Sequence, residues 1–161
     1  MTAIDAFRDD GPLVRALGRA LGRAVPLGER RLAWLVPPLL RAVEYSFLIF
    51  LTSRVDRDAM PLCFAFVTVI ALHHYDTVYR LRHQRAAPPA WIEAVGGGWD
   101  GRMLLASLFA LAGVLDVALL VASVALALVY ACESTASWLR YGRARHAPDE
   151  EQPHVEGMLA E

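Results

Sequence analysis

A chain of 161 residues has room for one domain. Hydrophobic residues make up 56% of it and charged ones 20%, mean hydropathy is +0.35, and the apolar residues fall in long blocks, which is a membrane composition. The net charge of -1 says little beside the distribution of charge, no nucleic-acid partner is expected, and Cys63 and Cys132, both inside apolar segments, argue against a disulfide framework or a thiolate metal site. Every one of the 16 basic residues is Arg. GC-rich codon usage explains that before any preference for bidentate phosphate binding does.

In chain order, residues 1–31 read as a polar leader. Arg8-Asp9-Asp10-Gly11-Pro12 forms a cap-like turn. After it, Leu13, Leu17 and Leu21 recur every four residues, with Arg15, Arg19 and Arg23 two positions on. This spacing predicts an amphipathic helix over residues 13–25 lying on a membrane surface, ended by Pro26, or else a loosely ordered basic leader. The first predicted span covers residues 32–52, entered at Trp34, with Pro37 and Pro38 in its first turns. Arg41 and Glu44 lie one turn apart inside it. Charges at that depth cost a few kcal/mol on insertion scales, so they are expected to pair and to face protein or water.

A charge-balanced loop over residues 53–59 leads into a second span from Met60 to Tyr79. The loop after that carries Pro88-Pro89 and Gly96-Gly97-Gly98, and Asp100 stands where it would cap the following helix. Residues 103–132 are apolar apart from Asp116 and Ser123. One helix of that length would measure about 45 Å, against about 30 Å of hydrocarbon. A break at residues 113–116 would instead make a hairpin with arms 103–114 and 117–138. Four crossings place the leader, the loop bearing Arg80, Arg82, Arg85 and Arg102, and the tail bearing Arg140, Arg143 and Arg145 on one side, whereas three strand a basic cluster outside. The expected architecture is therefore all-α: a polytopic membrane helix bundle over residues 32–140, preceded by an amphipathic helix and followed by a disordered acidic tail over residues 141–161.

The densest chemistry is His73-His74-Tyr75-Asp76-Thr77-Val78-Tyr79-Arg80, where the second span meets a basic stop signal. His73, Asp76 and Arg80 share a helix face. His73 and Asp76 are candidate ligands for a divalent metal, and Glu44, His73, His74 and Asp76 are candidate catalytic acid–base groups. Arg80, Arg102 and the helix start beside Asp100 are candidates to hold a phosphate. The competing reading makes Tyr75, Tyr79, Trp91, Trp99 and Trp138 an interfacial belt and the ionisable groups interhelical glue.

Four segments carry a resemblance: residues 8–12, Arg41-Ala42-Val43-Glu44-Tyr45, residues 73–80, and Gly97-Gly98-Trp99-Asp100-Gly101-Arg102. Together they resemble an uncharacterised integral-membrane domain of high-GC bacteria, often fused behind nucleotidyltransferase and CDP-alcohol phosphatidyltransferase-like modules. The basic clusters put both termini on the cytoplasmic side, and the resemblance implies a bacterial inner-membrane protein working in phospholipid or envelope-lipid metabolism. Its partners would be the bilayer, a phospho-lipid or nucleotide-activated substrate, and a lipid transferase or a second copy of the chain. The phosphatidyltransferase signature itself is not matched: Asp100-Gly101-Arg102 brings its Arg too early, and Leu120 stands where a further aspartate belongs. Two readings stay open, an enzyme of lipid headgroups and a non-catalytic partner or scaffold for a transferase.

Overall fold

The protein is described by a computed structural model over residues 9–20 and 35–145, all helix and connecting turns with no strand among the described residues. The helices are α1 (Pro12–Ala20), α2 (Val36–Val55), α3 (Met60–His83), α4 (Ala90–Gly96), α5 (Gly98–Leu111) and α6 (Leu115–Arg145). The entrance of the first expected span at residues 32–34, residues 146–161 of the expected tail and the second half of the expected leader helix lie outside the described residues, while residues 141–145, expected in the tail, belong to α6.

Local chemistry sets the helix ends. Pro37 and Pro38 fall in the first turn of α2, where their missing N–H groups have no intrahelical partner to lose. The expected loop after it is mostly structured. α2 runs to Val55, and Asp56, in an extended conformation, accepts from the N–H groups of Asp58 (3.1 Å) and Ala59 (3.3 Å), capping a 3-10 turn over Arg57–Ala59. That turn reverses the chain into α3, which passes the expected end at Tyr79 and continues to His83.

The apolar run after it is a hairpin, as the break at residue 113 predicts. Gly113 sits in the left-handed region (φ 72°), its N–H bonds Ala110 O (3.2 Å), and the Val114 N–H bonds Phe109 O (3.0 Å). These two bonds satisfy the last carbonyls of α5 in the Schellman manner and turn the chain into α6. The expectation for Asp100 is corrected: α5 starts at Gly98 with the left-handed Gly97 before it and no side-chain cap, and the Asp100 carboxylate serves a different helix. The short helix α4, sitting where the sequence reads as loop, is also new.

α3 packs along α6 and against α2, and α5 packs on α2 and α6; α1 lies on α5, while α4 fills the corner between α5 and α6. Leu48, Phe66, Ile70, Leu119 and Leu126 form the apolar core. Around it the usual distribution is reversed. Glu44, Arg80 and Arg102 are buried, whereas Leu39, Phe50, Phe64, Leu108, Val121 and Leu128, spread over α2, α3, α5 and α6, are exposed. In water such an apolar exterior is costly; against lipid tails it is not. Among the described residues, two helices are long and apolar enough to cross a membrane, Arg57–His83 (taking in the 3-10 turn) and Leu115–Arg145.

Candidate functional site

Because neighbouring helices run in opposite directions, the start of α2, the end of α3, the start of α5 and the end of α6 meet at one end of the bundle. Two polar networks occupy that end.

The first is built on Arg102, 5% exposed. Its Nε donates to Glu44 Oε1 (2.5 Å), its Nη1 to Gly96 O (2.9 Å) and its Nη2 to Asp9 Oδ2 (2.7 Å). Glu44 is fully buried, and its second oxygen accepts from Arg41 Nη1 (2.6 Å), so the expected Arg41–Glu44 pair forms but is one edge of a larger net. Asp9 Oδ2 also meets Arg41 Nη1 (3.4 Å) and His74 Nε2 (3.3 Å). Groups from α2, α3 and α5 thus converge on one oxygen supplied by the segment before α1. Burial opposes ionisation of Asp9, but hydrogen bonding to His74 and the charge of Arg102 outweigh it and hold this carboxyl well below the usual carboxylate range. Two carboxylates face two guanidiniums, and an excellent geometry of this kind is what a buried ion net needs to offset its desolvation.

Asp100 anchors the same leader segment. Its carboxylate accepts from the N–H groups of Gly11 (2.5 Å), Leu13 (2.8 Å) and Val14 (3.0 Å), filling the N-terminus of α1, and the Trp99 N–H donates to Asp9 O (3.2 Å). The approach is close enough that a Cβ on Gly11 would run into Asp100 and Gly97 O, and one on Gly98 would run into the backbone of Gly11. The N–H groups that this carboxylate satisfies are those of α1, not those at the start of its own helix.

The second network joins α3 to α6. Arg80, 2% exposed, donates its Nε to Asp76 Oδ2 (2.7 Å) and both terminal nitrogens to Glu133 (2.9 and 2.5 Å). Asp76 Oδ1 accepts from Ser134 Oγ (2.9 Å) and Trp138 Nε1 (3.0 Å). His73 stacks on Tyr130, with centroids 3.9 Å apart, at the wall of a cavity of about 320 Å³ that Asp76 and Ser134 also line.

Of the expected site residues, Arg102 links Glu44 to Asp9, which His74 also meets, and Arg80 links Asp76 to Glu133; Asp100 caps α1 beside the first group. Arg80 and Arg102 share no partner and do not form one clamp. His73 and Asp76 line one cavity but make no bond to each other, and no group of three or more His, Cys, Asp or Glu that could hold a metal ion occurs among the described residues. Asp9, Glu133, Ser134 and Tyr130 were not expected. Asp9 stands in a polar leader where a carboxylate draws no notice; Glu133 lies inside the expected arm 117–138, well before the end of α6, and the demand for a partner that singles out Glu44 could have found it.

A model of a family of unknown function, DUF5941, matches residues 5–154. The chain belongs to the DUF5941 family. Both networks lie inside the stretch that defines DUF5941, from Asp9 to Trp138, in keeping with the sequence resemblance to an uncharacterised domain. No curated protein matches this DUF5941 chain, and no solved structure does.

Proposed function

We propose that this domain is a four-crossing scaffold of the bacterial inner membrane that holds a partner enzyme of envelope-lipid synthesis, with the polar end of the bundle and both termini on the cytoplasmic face. One observation carries the non-catalytic choice: every side-chain nitrogen of Arg80 and Arg102 already bonds an acceptor within the chain. A buried guanidinium so matched is interhelical glue, since hydrogen bonding across helices is what joins them where the surroundings are as apolar as the side chains. The apolar exterior and the basic character of the connections at the polar end support the four crossings. The tie to lipid synthesis rests on the sequence resemblance alone.

Affinity purification from native membranes tests this. Recovery of a CDP-alcohol phosphatidyltransferase-like enzyme, with unchanged recovery from a His74→Asn, Asp76→Asn variant that still folds, is the expected result. A phospho-lipid turnover activity in the purified chain that the same double variant abolishes would replace the scaffold with the enzyme reading, for which the cavity beside His73 and Asp76 is the supporting observation.

A further inference from the structure

Asp9, on which the first network closes, does not belong to the bundle: it sits in the leader, a strap laid across the bundle's end, and meets Arg41, His74 and Arg102 there. The donors arrive from three helices and point at one oxygen position: Arg102 Nη2 at 2.7 Å, His74 Nε2 at 3.3 Å and Arg41 Nη1 at 3.4 Å. That is how a protein receives an oxyanion, and here the oxyanion is an internal carboxylate.

We propose that the pocket of Arg41, His74 and Arg102 is an anion site for a phosphate group, held closed by the leader with Asp9 as its built-in substitute ligand. Arg is suited to this role because its planar fork matches a phosphate as well as a carboxylate. Beyond Asp9, the described ties of the strap run to α4 and α5. The Asp100 carboxylate holds the start of α1, the Trp99 N–H holds Asp9 O, Trp99 Nε1 meets Asp10 (3.4 Å), and Arg15 meets Glu93 at a half-exposed surface (3.3 Å). Leu13 and Leu17 of α1 are exposed, so little apolar burial holds it down. Lifting it leaves Arg102 buried beside a single counter-charge, a state that an incoming phosphate stabilises. This goes beyond the scaffold reading and does not rest on it: the arginines are saturated in the closed form, and the open form has a vacant oxygen position at the end of the bundle where lipid headgroups would lie.

Two variants open the strap by different routes. Asp9→Ala removes the substitute ligand; Gly11→Ala keeps every charged group and forces the strap off Asp100 and Gly97. Each is purified in detergent, and binding of inorganic phosphate is measured against chloride at fixed ionic strength, then capture by nanodiscs containing phosphatidic acid is compared with discs of phosphatidylcholine alone. Both variants are expected to bind phosphate at least about tenfold more tightly than the wild type, and acetate is expected to restore the melting temperature of Asp9→Ala in part. Selective capture by phosphatidic acid assigns the site to a lipid headgroup; binding of phosphate without that selectivity assigns it to a soluble phosphate. If neither variant gains phosphate binding, or if both fail to fold, the leader is a fixed part of the structure and the proposal is wrong.

Discussion

Arg102 and Glu44 set the energetics of the first network, because neither reaches solvent and each holds two partners together. Removing one member of a buried ion pair leaves the other uncompensated, at a cost of about 3–5 kcal/mol. Glu44→Ala is therefore expected to destabilise the detergent-solubilised protein by about that amount, read from its chemical unfolding. Asp9 makes the prediction in pH. Its carboxyl is depressed on folding, so it contributes stability above its unfolded value of about 4, and that contribution disappears as pH falls from there toward the folded value. Stability measured along a pH series should drop on acidification below about pH 4 in the wild type, with a smaller drop in Asp9→Asn. Glu44, His74 and Arg102 were legible in the sequence because an ionisable residue in or beside an apolar segment demands a partner. Asp9 was not, since an aspartate in a polar leader has no such demand and its partners lie 32 to 93 residues away.

At the scale of elements, the α3–α6 seam separates glue from chemistry. If Arg80 and Glu133 only join helices, replacing both with methionine should leave stability within about 1 kcal/mol of the wild type or raise it, while Glu133→Ala alone should cost about 3–5 kcal/mol. A double variant that folds normally yet fails to recover its partner enzyme would instead give the seam a direct part in function. The α5–α6 turn is a second test. Gly113 has a positive φ and open space where a Cβ would stand, so Gly113→Ala should cost about 1 kcal/mol of backbone strain and no steric clash. The hairpin could be foreseen because a helix of the whole apolar run is too long for a bilayer. The short α4 could not, being one helical stretch of seven residues bracketed by Pro89 and Gly97, signals that read as loop. Nor could the target of Asp100: local spacing favoured its own helix, and only tertiary packing brings the start of α1 within reach of its carboxylate.

For the whole molecule, the polar networks and the apolar exterior make sense together if the bundle stands upright in lipid with its ionic end at one face. The helical class was legible in composition and hydropathy; the joining of α2, α3 and α5 through the leader came only from three-dimensional packing. The most direct test is which face of the membrane each connection occupies. In a chain freed of Cys63 and Cys132, single cysteines at Asp58, Ala112 and Ala86 would be challenged with an impermeant maleimide from outside intact cells and again after lysis. Labelling of Asp58→Cys and Ala112→Cys from outside, with Ala86→Cys reached only after lysis, is the predicted result. Labelling of Ala86→Cys from the same side as Ala112→Cys would contradict the four-crossing arrangement.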